Sequence, residues 1–238
     1  MRHEIEIIFQ DENIVVVNKP TGILVIPDQY TDENKTLIGV LQKQLNQKIL
    51  AVHKIDYDTT GVLLFAKSQQ IYKDVSIQFE NSKIHKKYIV LLSGTLEEEE
   101  GTINKPILVS GGDVLINSAG KESITNFKIL ERFKSYTLVQ AFPLTARKHQ
   151  IRVHFWSIGH PLAIDGEYGV SDPIILSSIK RNYKVKNEKR EKPLISRLTL
   201  HAASLTLQLN GKAITFEAPL PKDFVITLKQ LRKYCRVP

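Results

Sequence analysis

Asp56 is the first residue in this chain whose setting suggests chemistry. The stretch from His53 to Ser68 reads HKIDYDTTGVLLFAKS. It places the Asp56 carboxylate between a cation, Lys54, and a Thr59-Thr60-Gly61 turn. The apolar run Val62 to Ala66 follows, with the length and composition of a buried strand. A carboxylate on a tight loop that enters a rigid strand is held by the scaffold, and catalytic groups concentrate on such loops. The plain alternative is that Asp56 and Asp58 only hydrogen-bond the turn backbone, as Asp often does. A second cluster lies in LTARKHQIRVHFWSIGHPLAIDGEYG, residues 144–169. Arg147, His149 and Arg152 crowd a short span there, followed by two glycine-containing turns and Asp165. An Arg fork can give a carboxylate or a phosphate two parallel hydrogen bonds. A solvated basic helix face would explain these charges but not the Gly, His and Trp around them.

The elements that must hold these groups are visible as patterns. Ile5–Phe9 and Ile14–Asn18 read as strands joined by a polar turn, and Lys19-Pro20-Thr21-Gly22 breaks the second. Leu37, Val40, Leu41 and Leu45 have helical spacing. Ser68 is placed to cap a helix that buries Ile71, Val75 and Phe79. Tyr88–Leu92, Ile124–Leu130, Thr137–Phe142 and Leu198–Leu209 read as strands, and Glu97–Glu100 as a solvated loop. Lys148 to Ile158 has helical spacing, with His149 and Arg152 on one face. Asn210-Gly211 is a strong two-residue hairpin turn into Ala213–Phe216, and a last helix spans about Asp223–Cys235. Strands dominate without regular βαβ alternation, which predicts an α+β fold with a largely antiparallel sheet.

Composition narrows the class. The chain has 238 residues, 42% of them hydrophobic, enough for one substantial core. No run approaches the ~18 apolar residues of a membrane helix, and the N-terminus mixes charges into its apolar residues, unlike a signal peptide. One cysteine, Cys235, excludes an intramolecular disulfide, and with seven scattered His argues against a structural zinc site. The net charge of +8 favours an anionic partner such as RNA. Lys180–Lys192 carries seven Lys or Arg and two Glu, with no apolar periodicity. It reads as an exposed basic loop at about 180–192 that contacts RNA phosphates.

Together the motifs resemble the RluA-type pseudouridine synthase family. HKID, Tyr57-Asp58, TTG and VLLFAK stand where that family has HRLD, a variable pair, TSG or TTG, and a strand ending in AK. TARKHQIRVH, GHP and IDGEYG match its second signature. VVVNKPTG at 15–22, KKY at 86–88, RLTLHAASL at 197–205 and FEAPLPKDF at 216–224 follow in family order. The resemblance implies a mixed sheet with flanking helices and a central cleft, in a single catalytic domain over residues 1–238 with no S4-type RNA-binding domain. It implies isomerisation of uridine to pseudouridine in ribosomal or transfer RNA, by a cytoplasmic monomer that needs no metal or organic cofactor. Asp56 is then the catalytic aspartate, as nucleophile or as base, with Arg152 as its partner and Tyr88 as the residue that stacks on the flipped base. Lys54, Thr60, Arg147, His149, Lys184 and Lys186 are expected to meet RNA, and Leu198 or Leu200 to wall the pocket.

Two residues depart from the family pattern. Lys54 replaces the usual Arg, which keeps charge but loses the planar, forked group. Ala146 replaces the usual Gly and restricts the backbone beside Arg147. They are the support for an alternative, a non-catalytic RNA-binding or assembly factor. A glycosidase using Asp56 and Asp58 as paired carboxylates fits less well, since the basic bias favours RNA.

Overall fold

Strand Thr60–Ala66 is buried at all seven positions, so it must have cover on both faces. The chain around it was described from a computed structural model, covering residues 4–183 and 191–237. In chain order the elements are β1 (Glu6–Gln10), β2 (Ile14–Lys19), α1 (Leu37–Leu45), β3 (Leu50–Ala51), β4 (Thr60–Ala66) and α2 (Gln69–Glu80). Then come β5 (His85–Ser93), β6 (Glu100–Asn104), β7 (Ile107–Ser110), β8 (Asp113–Ile116), β9 (Ile124–Arg132) and β10 (Tyr136–Pro143). The rest are α3 (Gln150–Ser157), α4 (Leu176–Ile179), β11 (Leu200–Leu209), β12 (Lys212–Glu217) and α5 (Lys222–Tyr234). The class is α+β with a mixed sheet, as expected. Among the described residues no helix is long and apolar enough to cross a membrane.

The chain forms two compact units. The first comprises Met1–Tyr88 and His201–Pro219. In it β4 pairs antiparallel with β2 and parallel with β11, while β1 flanks β2 and β12 flanks β11. Alternation along β2 sorts its side chains onto two faces. Ile14 and Val16 join Val62, Leu64 and Val75 of α2 in one apolar cluster. Val15 and Val17 join Leu63, Phe65, Leu37 and Leu41 of α1 in the other. Each such buried aliphatic or aromatic side chain contributes roughly 1.5–3 kcal/mol. Thr36 caps α1 and Ser68 caps α2 through their side-chain oxygens. The Asn210-Gly211 turn has both residues at positive φ, 50° and 75°, the conformation of a tight hairpin turn with the sheet's own twist.

The second unit comprises Ile89–Leu200 and Leu220–Pro238. Its antiparallel strands run β10-β9-β6, and β7 with β8 forms a separate ribbon. Helix α3 rests against both, with Phe155 5.7 Å from the ring of Phe127 and Val153 clustered with Ile107 and Val114. The Glu97–Glu100 stretch is a loop only up to Glu99; Glu100 opens β6. Helix α3 starts two residues later than its pattern predicts, because His149 takes the left-handed conformation at φ 53°. Lys184 and Lys186, with most of the basic stretch, lie outside the described residues.

Candidate active site

Residues 52–61 leave the sheet at β3 and return to it as β4, and every anchor of this excursion has a physical cause. Val52 and Ile55 pack on the two apolar clusters of the first unit. His53 stacks on Phe79 of α2 at 4.6 Å, and its Nε2 accepts the Leu64 backbone N–H at 3.1 Å. That ring therefore stands where the next rung of the β3–β4 ladder would be. Burial first, and the Lys86 charge second, drive the His53 pKa down to about 3, so the ring is neutral. Burial likewise lowers Lys86 to about 8.

The far end of the loop is fixed by glycine and threonine. Gly61 has φ 113°, and a Cβ there would lie 2.1 Å from the Ala202 carbonyl oxygen. No other residue fits this parallel pairing. Thr60 is buried, and its hydroxyl is 2.9 Å from His201 Nδ1; His201 Nε2 is 3.1 Å from the Ala218 carbonyl. Thr59 is also buried, with a hydroxyl that has no hydrogen-bond partner among the described residues.

Lys19 supplies the central anchor. It is fully buried at the end of β2, and its Nζ donates to the carbonyls of Tyr57 at 2.8 Å, Thr59 at 2.9 Å and Pro20 at 3.0 Å. The Gly22 N–H donates to the same Tyr57 carbonyl at 3.1 Å, and Thr21 Oγ1 to Asp58 at 3.0 Å. The turn itself closes through the Thr59 N–H and the Asp56 carbonyl at 3.1 Å. The sequence reading took Lys19 only as part of a strand-ending turn. The signal for its role was parity: Lys19 follows Val15 and Val17 on one face of β2, and that face is core.

Asp56 sits within this clamped turn, beside Tyr88 on β5. Burial first, and then the negative charge of Asp56, push the Tyr88 pKa up. Tyr88 thus keeps its proton through the neutral range and offers a hydrogen-bond donor close to a carboxylate. Lys54, one turn earlier, is exposed.

The second unit gathers the other cluster. Arg152 is buried on α3 and forks onto Asp165, Nε to Oδ2 and Nη2 to Oδ1, both at 2.8 Å. Its Nη2 also reaches Glu167 at 2.5 Å, and its guanidinium lies 5.0 Å from the Tyr168 ring centre. Burial raises the Asp165 pKa, but the Arg152 hydrogen bonds and charge and the N–H groups of Glu167 and Tyr168 outweigh it, so Asp165 is held below its usual value. His149 Nδ1 is 2.9 Å from the Tyr168 hydroxyl and 3.5 Å from Glu167. His149 and Arg152 therefore converge on the same two residues, as their spacing suggested. Arg147 Nε donates to the Glu122 carbonyl at 3.2 Å. Leu198 and Leu200 are both buried, and the Thr199 hydroxyl between them donates to the Leu91 carbonyl at 2.9 Å. Asp165, Glu167 and Tyr168 were within a recognised motif, but their grip on Arg152 is a tertiary contact no spacing announces.

The chain was compared with known proteins. Residues 13–157, more than half of it, match the protein family described as RNA pseudouridylate synthase. A ribosomal large subunit pseudouridine synthase C of Buchnera aphidicola is 34% identical over 234 residues, which cover 94% of this chain and 70% of that protein. An RNA pseudouridine synthase of Bacillus subtilis is 31% identical, covering 97% and 74%. A ribosomal large subunit pseudouridine synthase D of Nitrosomonas europaea is 32% identical, covering 96% and 65%. Among solved structures, human RNA pseudouridylate synthase domain containing 4 superposes with a TM-score of 0.72 at 23% identity, over 98% of this chain and 94% of that one. At that identity the likeness speaks for the fold.

Proposed function

We infer that this chain, which belongs to the RNA pseudouridylate synthase family, is an enzyme that isomerises uridine to pseudouridine in RNA. The substrate we propose is large-subunit ribosomal RNA, the RNA named for relatives that cover most of this chain. The two units act as one catalytic domain, since the family match runs through both. The enzyme works as a cytoplasmic monomer, without metal or organic cofactor.

In the reaction the C1′–N1 bond breaks, uracil turns, C5 bonds to C1′, and the proton that C5 gives up is matched by one gained at N1. No atom is gained or lost, so the protein has to hold reactive groups in place and move protons. The target nucleotide must leave its stack to be reached. Asp56 is the catalytic group, as nucleophile or as base on the ribose. Tyr88 lies against the flipped base and keeps a proton to donate, because its pKa is raised. Arg152 is the cation that serves the reaction, and Asp165 fixes the plane of its guanidinium. Lys54, Arg147, His149, Lys184 and Lys186 meet the RNA backbone, and Leu198 and Leu200 give the pocket an apolar wall. Thr60 serves from within, by holding the loop where it joins β4.

The observation that carries this reading is the Asp56 turn. A carboxylate, a neutral tyrosine and a buried lysine clamp share one loop and its neighbours. The test is Asp56→Asn with purified protein and ribosomal RNA. Pseudouridine formation is expected to disappear while RNA binding survives. Turnover by this variant would remove Asp56 from the chemistry, and release of free uracil by the native protein would replace isomerisation with glycosidic hydrolysis.

A further inference from the structure

Four cations from three stretches of the second unit meet around the end of α5. Lys180 follows α4, Lys233 lies in the last turn of α5, Arg236 lies just beyond it, and Lys134 sits in the β9–β10 turn. The Lys180 ammonium is 5.3 Å from the ring centres of both Tyr183 and Tyr234. The Lys233 ammonium is 5.3 Å from the same Tyr234 ring. The Lys134 N–H donates to the Cys235 carbonyl at 2.9 Å, and Phe133 is bridged to Arg236, which places the backbones of Lys134 and Arg236 alongside one another at the end of α5.

Among the described residues none of these four has a carboxylate within ion-pairing distance. Elsewhere in this unit three arginines are neutralised: Arg132 by Glu99, Arg197 by Asp223, and Arg232, on α5 itself, by Glu131. The dipole of α5 explains a preference for Lys233 in its last turn, worth about 0.3–1 kcal/mol. It does not explain why Lys180, Lys134 and Arg236 are brought there from other segments. Like charges gathered without counter-charges are relieved by an external anion. Two partly exposed tyrosine rings add flat faces. Cations alternating with aromatics are the chemistry of single-stranded nucleic-acid binding, in which charge tracks the phosphates and rings stack on bases.

We propose that the end of α5, with Lys180, Tyr183 and Lys134, is a docking face for an unpaired stretch of the RNA substrate, holding its phosphates by charge and a base by stacking. This rests on the reading of the protein as an RNA enzyme and adds a second place where it grips the RNA.

The probe is fluorescein-labelled oligouridylate, with affinity measured by anisotropy across a salt series. The variant is Lys134→Gln with Lys233→Gln and Arg236→Gln. Its slope of log affinity against log salt is expected to shrink by about 0.7 per lost contact, or by about 5-fold in affinity per contact near ~0.1 M salt. Lys180→Met, which keeps an apolar stem between the two rings, is expected to shrink the slope by about 0.7 alone, and covers the case that the triple variant folds poorly. Tyr183→Leu is expected to weaken binding roughly ten-fold without changing the slope. Arg232→Gln with Glu131→Gln, which leaves net charge the same, should leave the slope as it is. An unchanged slope in folded Lys180→Met and triple-variant protein overturns the docking face. Pseudouridine formation by the native protein is scored alongside. If it is absent from every RNA tried, the enzyme reading fails; if it is present and the slopes do not move, only the docking face fails.

Discussion

Replacing Lys19 with Met is expected to uncouple the Asp56 turn from the sheet. The side chains have similar length, so the apolar stem of the core site stays filled. The loss is the ammonium, which holds the carbonyls of Pro20, Tyr57 and Thr59 at 3.0, 2.8 and 2.9 Å. Each buried acceptor left without its donor costs roughly 1–3 kcal/mol. Against this, burying an ammonium carries a desolvation penalty of several kcal/mol, which the variant no longer bears. The net expectation is a destabilisation of about 2–4 kcal/mol, a fall in Tm of roughly 4–16 °C for a chain of this size. The rate should fall by more than instability explains. The freed carbonyls flank Asp56, and a shift of ~1 Å in a catalytic group costs on the order of 10²-fold. Calorimetry gives the first quantity. Single-turnover pseudouridine formation, at a temperature where the variant is folded, gives the second. A lower Tm with an unchanged rate would show that Lys19 holds the fold and not the catalytic geometry. An unchanged Tm would refute the clamp itself.

Other perturbations follow from the same contacts. Arg152→Ala strands the fully buried Asp165 carboxylate and should cost about 3–5 kcal/mol along with most of the activity; a double-mutant cycle with Asp56→Asn then measures whether Arg152 and Asp56 act together, and additive losses would separate them. Gly61→Ala should yield little folded protein, since its Cβ would overlap the Ala202 carbonyl; a stable, active variant would show that the β4–β11 pairing can yield. Stability should decline as pH falls below about 6.5, by up to about 1.4 kcal/mol per pH unit for His53, because the unfolded chain takes up a proton that the folded state refuses until about 3. Buried His154, whose pKa is also lowered, adds to that slope, while Asp165, lowered instead from 3.8, gives up its contribution only at more acid pH. Urea midpoints measured from pH 7.5 down to pH 5 should show the slope, and His53→Gln should reduce it; a flat profile would place a charge on these rings in the fold.

Local patterns predicted the strands and helices whose periodicity was clean. β2, β4, α1, α2 and the β11–β12 hairpin appear within a residue or two of their expected limits, because alternation, capping residues and the Asn-Gly turn all point the same way there. The β7–β8 ribbon escaped notice because its strands are only four residues each, too short for their alternation to stand out. The start of α3 was misplaced by His149, a non-glycine residue held left-handed, which no propensity anticipates. In the site, residue types were legible and partners were not. Asp56, Tyr88 and Arg152 stood out by motif, whereas the Lys19 clamp spans 38 and 40 residues of sequence and depends on how strands pair. The Arg152–Asp165 fork is closer in sequence, yet it depends on a turn that brings the chain back over α3.

The His53 imidazole has a further consequence for how copies of this protein meet. On one side of β4, pairing is shared between β11 at Thr60–Gly61 and β3 at Phe65–Ala66. The Leu64 N–H falls in the gap, and without the ring it would face outward as an unpaired donor. Exposed donors on a strand invite a strand from a neighbouring molecule. Here an aromatic ring, wedged against Phe79, closes the gap with a side chain where another protein would need an extra strand. The Asp56 loop can thus depart from the middle of a sheet without leaving an adhesive seam behind it. The seal holds only while the imidazole is uncharged, because a protonated Nε2 can no longer accept the Leu64 N–H.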